Sequence, residues 1–131
     1  MSQENVDLHL RAVDAFNRGD LPTLLAVMDD DVRVEARVIA MEGTYTGHDG
    51  VRRWWQDLHD AFPDWTVEAT GVRVFGDHTV ATLRAGGHGA ESGVPVEVNL
   101  WQVVEMRDGK AIRLSSHDTE AEALDAAGLL E

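Results

Sequence analysis

Cysteine is absent from this chain of 131 residues. That removes disulfides, thiol nucleophiles and thiolate metal sites from its possible chemistry. Basic residues are scarce. Eleven Lys and Arg stand against 24 Asp and Glu, a formal net charge of −13 with a pI of about 4.6. Phosphate backbones and anionic lipid surfaces are bound by clustered Lys and Arg, so neither nucleic acid nor a membrane is an expected partner. Long apolar runs are missing too; nothing approaches the ~18 residues of a spanning helix. Met1 to Asn5 carry no basic or apolar stretch, so no signal peptide is expected. A cysteine-free chain suits a cytoplasmic location. The phosphate-loop patterns G-x-x-x-x-G-K-[ST] and G-x-G-x-x-G do not occur. His9, His48, His59, His78, His88 and His117 form no H-x-H or H-E-x-x-H pair. Ser92-Gly93 lacks the flanking pattern of a serine nucleophile elbow. The expectation is therefore no metal and no cofactor.

What is present fits one globular domain covering residues 1–131. Hydrophobic residues make up 44% and charged residues 27%, and a domain of this size buries ~68% of its unfolded surface. Val6, Leu10, Val13 and Phe16 fall at helical spacing, and Asn17-Arg18-Gly19 stops that helix. Asp20 can cap a second helix over 21–28, with Pro22 tolerated in its first turn. Asp29-Asp30-Asp31 breaks it, and alternation over 32–38 predicts a half-buried strand. Residues 43–50 read as a loop. A third helix follows over 49–62, with the stripe Val51, Trp55, Leu58 and Phe62. The remainder reads as strands at 65–75, with Gly71 a bulge, then 78–84, 94–106 and 111–117. Asp108-Gly109 supplies the positive-φ turn of a hairpin. A short amphipathic helix follows His117-Asp118. Helices on one face of a curved antiparallel sheet bury both kinds of surface, so the fold class is α+β.

The order and several local pieces resemble the nuclear-transport-factor-2-like superfamily, and within it the SnoaL-like group named after a polyketide cyclase. The pieces are Phe16-Asn17-Arg18-Gly19-Asp20-Leu21, the acidic break before Val32, Gly47-His48-Asp49-Gly50-Val51-Arg52-Arg53-Trp54-Trp55, the Phe62-Pro63-Asp64-Trp65 corner and the terminal segment. The resemblance implies a cone, a curved antiparallel sheet wrapped around the N-terminal helices, with a pocket inside. It implies much less about chemistry. In the superfamily's ketosteroid isomerases a tyrosine and two aspartates handle a carbonyl. Their positions align here with Ala12, Ala36 and Trp101, so that mechanism is not expected. The Arg-Asp-Asp set of limonene-epoxide-hydrolase-like members has no counterpart either.

The resemblance to SnoaL-like cyclases brings His117 and Asp118 to the place of the proposed acid/base group. They are the catalytic candidates, as a proton shuttle at a pocket mouth. The alternative is that Asp118 or Thr119 caps the last helix while His117 faces solvent. Glu97, Asn99, Trp101 and Val103 share one strand face. That face either looks into the pocket, making Asn99 and Trp101 ligand contacts, or packs on a second subunit. Val96, Val98 and Leu100 form the other face and would build a homodimer. Trp54 and Trp55 point about 100° apart on their helix, one to the core and one to the pocket entrance. Tyr45 leans over the pocket or lies on the surface. Val34 and Ala36 would close the narrow end. The expected function is a pocket binding a small apolar ring-bearing molecule. The alternative is a cofactor-free cyclase or isomerase using His117 and Asp118.

Overall fold

The computed structural model describes residues 2–38 and 41–128. Helix α1 (Ser2–Arg18) ends where Gly19 takes a φ of 66°, a left-handed conformation that glycine adopts without strain. Asp20 then caps α2 (Leu21–Ala26): its carboxylate accepts from the Thr23 backbone N–H at 3.2 Å and from the Thr23 hydroxyl at 2.7 Å. These bonds hold the Asp20 carboxyl below its ordinary pKa, the Thr23 hydroxyl bond contributing most. The helix ends at Ala26, so the triple aspartate breaks nothing. It lies inside strand β1 (Met28–Val38), which starts earlier than its alternation suggested.

The segment read as a loop contains a strand, β2 (Met41–Thr46), which pairs antiparallel with β1. Its Thr-Tyr-Thr run has the branched and aromatic character that suits a pleated surface. Helix α3 (Gly47–Ala61) follows and buries Val51, Trp54 and Leu58. Phe62 is its half-buried C-cap. The meander is β3 (Thr66–Phe75), β4 (His78–His88), β5 (Pro95–Arg107) and β6 (Lys110–His117), and α4 (Glu120–Ala126) comes last. The β3–β4 register shifts between Ala69 and Gly71, the predicted bulge. Asp108 and Gly109 turn β5 into β6 with φ values of 54° and 76°.

The six strands form one curved, unclosed sheet in the order β2-β1-β6-β5-β4-β3. Every neighbouring pair is antiparallel except β1 and β6, which run parallel. Arg113 on β6 reaches across this seam to Glu35 on β1, with contacts of 3.0 and 3.2 Å. The inner face carries Val32 and Val34 from β1, Leu114 from β6, Leu100 and Val104 from β5, and Ala81 and Leu83 from β4. They form one core with Val13, Phe16 and the buried side of α3. On the outer face α4 packs Ala123 and Ala127 against Val80 and Val103.

Candidate functional site

Between the helices and the inner sheet face lies a cavity of about 40 Å³, room for about three waters when ~10–15 Å³ holds one. Every lining side chain except Gln102 and Ser116 is apolar. Trp54 and Trp65 form its aromatic walls, with Leu58, Leu83, Leu100 and Leu114 among the aliphatic ones. Ala12 and Val67 are the half-buried members of the lining, so the cavity comes nearest to solvent between α1 and β3. The side-chain amide of Asn17 holds that line shut. It donates to the Val67 carbonyl at 2.7 Å and accepts from the Val67 N–H at 2.9 Å, as a neighbouring strand would. The Asn17-Arg18-Gly19-Asp20 motif thus ends α1, starts α2 and latches α1 to edge strand β3.

Behind the cavity wall sits a polar chain that the sequence did not single out. His9 is 1% exposed. Its Nδ1 lies 2.7 Å from Thr79 Oγ1, and its Nε2 lies 2.8 Å from Gln102 Oε1. The Gln102 oxygen can only accept, so His9 Nε2 carries the proton and Nδ1 accepts from the Thr79 hydroxyl. Burial lowers the His9 pKa, more than the bond to Gln102 raises it, and the ring is neutral at pH 7. A signal existed: His9 falls three residues after Val6 and four before Val13, on the apolar stripe of its helix.

Gln102 and Ser116 are direct partners across β5 and β6. This pairing fixes the phase of both strands and decides between the two readings of β5, against Asn99 and Trp101 as cavity residues. Leu100 and Gln102 point inward with Val96 and Val98, so those valines pack on the core and not on a partner. Asn99 is exposed on the outer face. Trp101 is half-buried there against Val80, Val103 and Ala123, and is not part of this cavity's lining. The physical reason is that Glu97, Asn99 and Glu105 share the phase of Trp101, and the more polar face of a sheet turns to water.

His117 is the register partner of Trp101 and lies on the same outer face, with its Nε2 2.8 Å from Ser115 Oγ. Asp118 is exposed beside it. The cap of α4 is Thr119, whose hydroxyl accepts from the Glu122 N–H at 3.2 Å. Neither His117 nor Asp118 lines the cavity. Trp54 does, at 8% exposure. Trp55 does not. It stacks on His59 at 3.8 Å between ring centroids, and its indole N–H donates to the Phe16 carbonyl at 3.1 Å. Tyr45 also lies off the cavity, its hydroxyl donating to Asp57 at 2.9 Å. Val34 is fully buried in the core, away from the lining; the Ala36 side chain lies outside the described residues.

Among the described residues no group of three His, Asp or Glu is arranged to hold a metal ion, and no helix is long and apolar enough to cross a membrane. An apolar cavity inside a helix-lined, unclosed sheet is the architecture of the superfamily the sequence resembles. The SnoaL-like domain family matches residues 10–114, and the chain belongs to it. No curated protein matches significantly. Solved structures share the fold. An NTF2-like protein of unknown function from Burkholderia pseudomallei superposes with a TM-score of 0.81 at 22% identity, covering 95% of this chain and 97% of its own. TerC, co-crystallised with polyporic acid, gives 0.79 at 19% identity over 93% and 96%. A candidate SnoaL-like polyketide cyclase from Jannaschia sp. CCS1 gives 0.77 at 21% identity over 99% and 94%.

Proposed function

We propose that this SnoaL-like chain binds a small, neutral, ring-bearing apolar molecule in the cavity between its helices and the inner sheet face. The observation that carries the reading is the wall itself: apolar throughout except for one amide and one hydroxyl, with no carboxylate and no cation among its lining residues. A charged ligand there would be desolvated without a partner, which is costly. TerC, bound to polyporic acid in its crystal, supports a ligand role for this fold. Typical small-molecule pockets span ~300–1,000 Å³, so the present cavity must widen on binding. Flexible Met28 in the lining is suited to that. An enzymatic reading through His117 and Asp118 draws no support from their outer-face position.

Toluene titrated into the protein should shift the NMR signals of Trp54 and Trp65. Leu83→Phe, which adds bulk to the cavity at a cost of about 1–3 kcal/mol, should abolish the effect while the fold persists. Shifts confined to the outer face, or identical in the variant, would sink the pocket reading.

The reading includes a cytoplasmic protein, as the cysteine-free composition suggests, and a homodimer. The dimer now rests on the outer face, where half-buried Trp101 stands beside exposed Asn99. Light scattering at tens of micromolar should give twice the monomer mass, and Trp101→Arg should return it to one. A monomeric parent chain would refute this part.

A further inference from the structure

We infer that Gln102 and Ser116 form a carbonyl-recognition site, so that the ligand carries a hydrogen-bond-accepting oxygen at one end of an otherwise apolar ring. The inference rests on the pocket reading and narrows its ligand class. Gln102 is 9% exposed and Ser116 6%. Both line the cavity, and neither the Gln102 amide nitrogen nor the Ser116 hydroxyl has a hydrogen-bond partner among the described residues. Their side chains leave directly paired positions on β5 and β6, where opposite Cβ atoms stand ~4.5–5.5 Å apart. One ligand atom can therefore reach both.

The direction of the site follows from what stands behind it. The Thr79 hydroxyl donates to His9 Nδ1, and His9 Nε2–H donates to Gln102 Oε1. With its oxygen engaged, Gln102 turns its NH2 group to the cavity and can only donate there. The Ser116 hydroxyl, free to rotate, adds a second donor. Ala81, opposite Gln102 on the other side of β5, is too small to cover the amide. Two neutral donors facing an apolar space recognise a ketone, quinone or lactone oxygen. They require no negative charge on the ligand oxygen. An apolar ligand without that oxygen would fill the space these donors face and leave both unpaired, which costs more than a missing bond at the surface.

Cyclohexanone and methylenecyclohexane test this, because they share a shape and differ in the acceptor. NMR titration should find the ketone bound about tenfold more tightly, the yield of two modest buried hydrogen bonds. The infrared carbonyl stretch of the bound ketone should move to lower frequency. Gln102→Leu and Ser116→Ala should each shrink the ratio and the frequency shift. Thr79→Val touches no ligand. It frees His9 Nδ1 to take the proton and lets the Gln102 amide turn, so it should weaken the frequency shift as well. Thermal melts identify any variant that does not fold, and the parent protein's affinity ratio and infrared shift carry the test by themselves. Equal affinities of the two compounds, with an unshifted carbonyl, would overturn the recognition site and leave the pocket reading standing. Failure of both compounds to bind would overturn the two together.

Discussion

Trp65→Ala is expected to lower the unfolding free energy by about 3–5 kcal/mol, the usual cost of emptying an aromatic site in a core. The residue is 2% exposed and forms a wall of the cavity, with Phe62 at 5.1 Å between ring centroids. Its backbone is clamped as well as its ring. The Trp65 N–H donates to the Phe62 carbonyl at 3.0 Å. The neighbouring Asp64 carboxylate accepts from the His88 backbone N–H at 2.7 Å and meets His88 Nδ1 at 2.6 Å. Gly87 lies so close that an added Cβ would stand 2.9 Å from Asp64 Oδ1 and 3.1 Å from Trp65 Cα. A corner held this firmly cannot collapse into the space the ring leaves, so most of the cavity penalty persists. Against a total stability of ~5–15 kcal/mol for a domain, the loss is severe. Urea unfolding followed by circular dichroism measures it. A change below about 1 kcal/mol would mean that the ring is not part of the packed core.

Acid should destabilise the chain well above the carboxylate range, and His9 should be the cause. Its pKa is lowered in the fold by burial. Below pH ~6.5 the unfolded chain therefore takes up a proton that the native state refuses. Stability that is fully present above that value is lost as pH falls toward the depressed native pKa. For one proton the slope reaches at most about 1.4 kcal/mol per pH unit. His9→Leu should remove this slope. It should also cost about 1–3 kcal/mol at neutral pH for each polar group it strands, the Thr79 hydroxyl and the Gln102 amide oxygen. Denaturant midpoints at pH 7.5, 6.5 and 5.5 compare the two proteins, and an unchanged slope in the variant would acquit His9. Asp64 adds a separate loss at more acid pH. Its side-chain bond to His88, followed by the bond from the His88 backbone, holds its pKa below the ordinary 3.8. Its contribution is present above that value and disappears as pH falls through the lowered one.

The fold was legible wherever a local rule decides the structure. Asp20 before Leu21, Gly71 within an alternating run and Asp108-Gly109 between two apolar runs each have one stable solution, and each takes it. The site was not legible, because β5 offers apolar residues in both phases. Period-two alternation separates Leu100 from Trp101 without saying which faces the helices. Two non-local facts decide it: α4 covers Val103 on one side, and His9 from α1 satisfies Gln102 on the other. A buried glutamine looks like a surface residue until its partner, 93 positions away, is known. Trp54 and Trp55 carry the same ambiguity. Their roles are separated by the Phe16 carbonyl that captures the Trp55 indole and by Phe16 itself, which lies 5.2 Å from Trp54. The strand β2 escaped notice because Gly43 and Gly47 bracket its Thr-Tyr-Thr run, and glycines there read as loop.

The parallel seam between β1 and β6 sets the order in which the molecule can assemble. β1 is translated early, yet the neighbour that fills its inner edge is the last strand in chain order. The contacts across the seam join residues far apart in sequence: Arg113 to Glu35 over 78 positions, and the Ala111 N–H to the Val27 carbonyl at 2.9 Å. Loop-closure entropy opposes such contacts until much of the chain is already ordered, so they form late and slow the folding rate. A nascent chain that has emerged only as far as β5 therefore carries a β1–β2 hairpin with an open edge. Its apolar residues Val32 and Val34 are still uncovered by Leu114. An open strand edge of that kind favours pairing with a second chain, and pairing with β6 covers it.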